Sequence, residues 1–196
     1  RHNHCLTSPI YREKVRIING KLAERYAAHP ALAVWHLSNE YSGDCHCELC
    51  RVAFVEWLKR KYGTLDALNH AWWTAFWSHT YTDWDLIEPP SRIGELSVHG
   101  LNLDWKRFVT DQTTDFMRWE IAALREFTPD IPVTTNMMGT FPGLNYWKMA
   151  PHLDVISWDS YPTWHSGDDI AQAAGVAFVH DINRCLKGGK PFMLME

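Results

Sequence analysis

Four short apolar runs most constrain what this chain can fold into: 31–37 (ALAVWHL), 131–138 (IPVTTNMM), 153–158 (LDVISW) and 191–195 (PFMLM). The first, 31–37, lacks polar–apolar alternation, as strands buried on both faces do. The stretches between them carry helical spacing. Tyr11–Ala28 places Val15, Ile18, Leu22 and Tyr26 on one stripe and stops at His29-Pro30. Glu48–Tyr62 closes at Gly63, and Thr64–Trp73 opens on Thr64 as a cap. Leu101–Phe127 is the longest helix expected, with Trp105, Phe108, Val109, Phe116, Trp119, Ala123 and Phe127 as its buried stripe. Ile170–Leu186 is the last, before the turn at Gly188-Gly189. Strands alternating with helices ask for a parallel sheet with helical crossovers.

Each apolar run ends in polar residues: Asn39-Glu40, Asn136, Asp159 to Tyr161, and Glu196. In a (β/α)8 barrel the C-terminal strand ends form the active-site face. A doubly wound sheet instead binds ligand at a switch point, commonly with a glycine-rich first turn. The chain has no GxGxxG or P-loop motif.

Glu40 and Glu196 both close a predicted strand. On a closed barrel they face each other across the axis, and two carboxyls about 5–5.5 Å apart are the layout of a retaining glycosidase. The competing reading is two unrelated surface glutamates. A second signal follows at once: Cys45, Cys47 and Cys50 form C-x-C-x2-C, and Cys5 precedes the first helix. Four thiolates make a closed tetrahedral zinc site. His2, His4 and His46 are possible substitute ligands, and disulfides or free thiols the other readings. Cys185 reads as a small buried apolar residue.

The 196 residues suit one domain with a real core, and 46% apolar with 21% charged residues is a globular composition. A net charge of −4 gives no reason to expect nucleic acid. No apolar run reaches a membrane span of about 18 residues, and nothing marks the chain as secreted, so a cytoplasmic location is expected. The opening RHNHC, without an initiator Met, reads as internal to a larger protein. Residues 72–92 form an aromatic-rich excursion, in which Trp72, Trp73, Phe76, Trp77, Tyr81 and Trp84 crowd into thirteen residues. It is either a local mini-core or a sugar-stacking or intersubunit surface.

WHLSNEY, the thiol cluster, FVEWLKRKYGTLDALNHAWWTAFWSHTYTDWDLIEPP, VTTNMMG, LDVISWDSYP and KPFMLME follow one another in an order that resembles glycoside hydrolase family 42, the β-galactosidases. The resemblance covers essentially the whole chain, with a shorter segment from Glu40 to Cys45 than the family pattern. It implies an α/β fold, a (β/α)8 TIM barrel, present here as a partial barrel from about the end of strand 3 to the end of strand 7. It implies Glu40 as proton donor, Glu196 as nucleophile, Asn39 on the sugar 2-hydroxyl, Arg1 as a substrate contact and Tyr161 as the residue orienting the nucleophile. It implies structural Zn2+ on Cys5, Cys45, Cys47 and Cys50, a β-galactoside substrate and a homo-oligomeric, trimeric parent. A half barrel is expected to be inactive and prone to associate through its open edges. Two other readings stand beside it: a zinc-stabilised binding module without catalysis, and a related glycosidase for another glycone such as an arabinopyranoside.

Overall fold

The computed structural model describes residues 4–91, 97–163, 165 and 167–196. Arg1 and His2 therefore lie outside the described residues.

Helix α1 spans Pro9–Tyr26, α2 Glu48–Tyr62, α3 Leu65–Trp72, α4 His99–Arg125, α5 Tyr146–Met149 and α6 Asp169–Cys185. Local chemistry sets their ends. Ser8 caps α1 through a 3.3 Å bond from Tyr11 N–H, with Pro9 pre-set for the first turn. Thr64 caps α3, as its sequence suggests, by accepting from Ala67 N–H at 3.2 Å. Gly63 ends α2 at φ 74°, a left-handed angle that a side chain would resist. Asp168 caps α6 by accepting from Ile170 N–H. The sequence reading missed α5, a single turn opened by Asn145.

The strands are β1 Trp35–His36, β2 Val133–Thr134, β3 Asn136–Met137, β4 Ser157–Trp158 and β5 Met193–Leu194. All pairings are parallel: Trp35 with Val133, Asn136 with Ser157, and Ser157 with Met193. The spatial order follows the chain order, β1 beside β2, then β3, β4 and β5. The four predicted apolar runs thus lie side by side in register, but their ladders are only two residues long. Thr135 separates β2 from β3. It spends its hydroxyl on Leu37 C=O (2.8 Å), while its carbonyl accepts from Ser157 Oγ (2.9 Å). The strand expected to be buried on both faces at 31–37 buries only Leu37, because β1 pairs on one side alone among the described residues. The interior run 133–137 is buried throughout.

Helix α4 is about 40 Å long at 1.5 Å per residue and is the spine of the core. Trp105, Phe108, Val109, Phe116 and Ala123 are buried as predicted, whereas Trp119 and Phe127 are exposed. Phe54 of α2 packs edge-on to Trp105 and tilted against Phe108, tying α2 to α4. Asp104, 1% exposed, sits in the same helix and collects Lys61, Arg107, Tyr62 and Trp72. Burial alone would raise its carboxyl, and those four partners outweigh burial and lower it.

The predicted stripe of α1 is corrected. Ile18, Leu22 and Tyr26 are exposed, and Ala23 is the helix's buried residue. Helix α1 meets α4 through Tyr11, which stacks on Phe116, and through Arg12, which bonds Asp115 at 2.7 Å. Val15 packs against the core, while Ile18, Leu22 and Tyr26 lie off that face. Cys185 is exposed, because α6 lays another face on β4 and β5 through His180, which stacks on Phe192 and accepts from Trp158 Nε1–H at 3.1 Å. No helix among the described residues is long and apolar enough to cross a membrane.

Candidate active site

Asn39-Glu40 just beyond β1, Asn136 at the first residue of β3, Asp159 beyond β4 and Glu196 beyond β5 are brought together on one rim. Asn136 is the hub. It is 1% exposed, and its side chain makes four hydrogen bonds. Its Oδ1 accepts from Glu40 N–H at 2.9 Å and lies 3.1 Å from His36 Nε2. Its Nδ2 donates to Asn39 Oδ1 at 3.0 Å and to Asp159 Oδ2 at 2.7 Å. One buried amide therefore joins the first strand's end to the third's. Ser160 N–H then donates to Glu196 C=O at 2.9 Å, bringing the last strand's end against Asp159.

Three carboxyls gather here. Asp159 is raised above the ordinary carboxylate range. Burial is the main cause, Asn136 opposes it, and the negative charges of Glu196 and Glu40 add to it. Both glutamates therefore lie within electrostatic reach of one aspartate. Tyr161 donates to Glu196 Oε2, and that bond, with the surrounding negative charge, pushes its phenol up to about 12. Tyr146 of α5 accepts from Met138 N–H at 3.1 Å. Burial, reinforced by Glu40 and Asp159, raises its phenol to about 12. Asn136 was visible in sequence as a strand-end polar residue, but its role as hub was not. Tyr146 gave no sequence signal beyond being aromatic, because it reaches the rim from a one-turn helix.

The turn carrying Glu40 is unusual in its backbone. Ser38 and Glu40 both have φ 44°, a left-handed conformation that residues with a Cβ disfavour. The next residue, Tyr41, is buried. Asp44 then pins the loop by accepting from Trp105 Nε1–H at 2.7 Å.

Beyond Asp44 the four predicted sulfurs meet. Cys5, Cys45, Cys47 and Cys50 place their Sγ atoms all within 4.8 Å of one another, with Cys5 3.6 Å from Cys47 and 3.4 Å from Cys50. These distances exclude disulfides, whose sulfurs are bonded at about 2.05 Å. They suit a tetrahedral metal, for which metal–sulfur bonds of about 2.3 Å put the sulfurs about 3.8 Å apart. Burial raises Cys47, but the Cys50 N–H and the neighbouring thiols outweigh it and bring the thiol down to about 7. Cys50 is buried and pushed up. Its sulfur also meets Thr7 Oγ1 at 3.2 Å and Gln112 Nε2 at 3.6 Å, outer contacts of the kind that orient metal ligands. Of the histidine alternatives, His46 pairs with Asp44 at 2.9 Å and His4 stacks on Tyr11, while His2 lies outside the described residues. A cleft of ≈ 490 Å³ runs between Asn39 and Cys45, walled by Tyr11, Tyr41 and Phe116.

In the aromatic excursion, Trp72 is buried against Tyr62 and Tyr81, which is mini-core behaviour. Trp73 and Phe76 are exposed and pack on each other. The side chain of Trp77 lies outside the described residues.

The family model of glycoside hydrolase family 42, described as Beta-galactosidase, matches residues 1–196. The chain is 68% identical to β-galactosidase BglY of Alicyclobacillus acidocaldarius over 197 residues, covering 100% of this chain and 28% of that protein. It is 60% identical to β-galactosidase GanA of Bacillus subtilis, covering all of this chain and 30% of that one. Among solved structures, the cold-adapted β-galactosidase of Rahnella sp. R3 superposes with a TM-score of 0.98 at 60% identity, over 100% of this chain and 29% of its own. The chain thus spans under a third of the length of these relatives, and its piece of sheet matches theirs closely. The match of a single family model from the first residue to the last places the chain in the β-galactosidase family, glycoside hydrolase family 42.

Proposed function

We propose that a full-length polypeptide carrying this chain is a retaining β-galactosidase, with Glu40 as acid/base and Glu196 as nucleophile. The observation that carries this reading is that Glu40 and Glu196, 156 positions apart in sequence, are tied to one rim of parallel strands, Glu40 N–H through Asn136 to Asp159 and Glu196 C=O through Ser160 N–H. In the first step Glu196 attacks the anomeric carbon as Glu40 gives its proton to the departing glycosidic oxygen. In the second, Glu40 takes a proton from water, and the resulting hydroxide equivalent displaces Glu196 from the galactosyl ester. Tyr161 holds Glu196 by its Oε2, leaving the other oxygen for attack. Asn39, its Oδ1 engaged by Asn136, offers its amide N–H to the sugar 2-hydroxyl. Arg1 is a further proposed substrate contact.

The relatives' names support the galactoside substrate, and one solved relative at 62% identity is a catalytic mutant of Gan42B from G. stearothermophilus in which a glutamate is replaced by alanine. The sheet fits a (β/α)8 barrel from the end of strand 3 to the end of strand 7. The four cysteines would hold Zn2+ as a structural ion, since four thiolates leave no open position for substrate. Unbridged thiols fit a reducing, cytoplasmic setting, and a trimeric parent is part of the proposal. The chain alone, under a third of the relatives' length, is proposed to be inactive.

The test is Glu196→Gly in the full-length polypeptide, supplied with 2,4-dinitrophenyl β-galactoside and azide. The expected product is α-galactosyl azide, of inverted configuration. Glu40→Ala should instead give β-galactosyl azide. Absence of the α product, or turnover by Glu196→Gly without azide, overturns the assignment.

A further inference from the structure

Helix α4 carries a carboxylate that the proposed reaction leaves unused. Glu120 is only 5% exposed, yet it is ionisable and lies under the turn that bears Glu40. Each of its two oxygens lies 3.0 Å from Ser38 Oγ. The Tyr41 phenol donates to Oε2, and Asn19 of α1 supplies a further side-chain bond. Burial raises the carboxyl, and these three donors oppose that rise.

The two hydroxyls bracket Asn39-Glu40. Inside the bracket, Ser38 and Glu40 are both left-handed, and neither is a glycine. Such a backbone persists when its surroundings over-determine it. From the sheet side, Asn136 Oδ1 holds Glu40 N–H. From the helix side, Glu120 is the group that holds both flanks. An ionised carboxylate is acceptor-only, so both of its oxygens can take donors, where an amide offers one accepting oxygen.

We infer that Glu120 is a positioning residue for the acid/base. Its carboxylate grips Ser38 and Tyr41 and so holds the left-handed turn that aims Glu40 at the glycosidic oxygen. This rests on the reading of Glu40 given above, and the test separates the two.

The readout is leaving-group dependence, which a loss of folded enzyme does not change. Glu120→Ala, Glu120→Gln and Glu40→Ala are made in a full-length polypeptide carrying this chain. The kcat/KM is compared on 2,4-dinitrophenyl β-galactoside, whose leaving group needs no proton, and on lactose, whose leaving group does. Glu120→Ala should lose about 100-fold on lactose, the scale of a misplaced catalytic group, and less than about 5-fold on the dinitrophenyl substrate, which bypasses the acid. Glu120→Gln keeps the shape and one acceptor, and should show the same selectivity at about 10-fold. It also serves if the alanine variant does not fold. Equal losses on both substrates, or no selective loss in the glutamine variant, overturn the inference. Should Glu40→Ala itself show no leaving-group dependence, the acid/base reading fails, and this one with it.

Discussion

Replacing Asn136 with alanine tests the architecture of the rim most directly. The change deletes four hydrogen bonds at a site 1% exposed. Three partners regain water readily, because His36 and Asn39 are exposed and Glu40 is half-buried. Each of those bonds is worth about 0.5 kcal/mol, the low end for neutral pairs. Asp159 differs. It is 6% exposed, its Oδ1 has no hydrogen-bond partner among the described residues, and it would lose the donor on Oδ2. A hydrogen bond to a buried charge is worth about 1.5–3 kcal/mol, so the total is about 3–4.5 kcal/mol. The pH dependence identifies the source. Asp159 is already raised in the folded state, so the native protein holds its proton more tightly than the unfolded chain. Its contribution to stability is full below the unfolded value of about 3.9 and is lost as pH rises through the folded value. Without Asn136 the folded value rises further, and the window of lost stability extends upward. Thermal unfolding of full-length protein and of Asn136→Ala, followed by tryptophan fluorescence at pH 5 and pH 8, should show the larger deficit at pH 8. An equal deficit at both pH values, or one under about 1 kcal/mol, the scale of a single neutral bond, would refute the reasoning.

Tyr161→Phe should lower kcat by about 10-fold or more, the lesser range for a group acting through hydrogen bonding, with little change in melting temperature because Tyr161 is exposed. Its phenol is pushed to about 12, so the loss should be constant between pH 5 and 9, as measured by pH–rate profiles of both proteins. Metal analysis of full-length protein should find one zinc per chain. Cys50→Ser should lose that metal and lower the melting temperature, with KM for galactosides nearly unchanged, since the ion would tie loops together and bind no substrate. A metal-free wild type of undiminished stability would count against the zinc assignment.

The parallel order of the strands was legible because long helical stretches separate the first apolar run from the second and the third from the fourth. Thr64 and Gly63 act as their residue types suggest. The cysteines were legible because C-x-C-x2-C leaves few geometries open. The α1 stripe misled: Ile18, Leu22 and Tyr26 have core spacing, but α1 turns Tyr11 and Arg12 to α4 and buries Ala23 instead. Glu120 and Asp104 could not be read as buried. A single chain offers no sign that a charged residue inside an amphipathic helix has found three donors on other elements. The left-handed angles at Ser38 and Glu40 were equally hidden, because the usual marker for such angles, glycine, is absent there.

The hub at Asn136 has a consequence for biogenesis. Glu40 comes from the first apolar run, Asn136 and Asp159 from the second and third, and Glu196 from the fourth. During synthesis Asn136 emerges ahead of Asp159, and Asp159 ahead of Glu196. The amide junction to Asn39-Glu40 can therefore form before the fourth run is free to pair with the third, and the rim assembles from Glu40 toward Glu196.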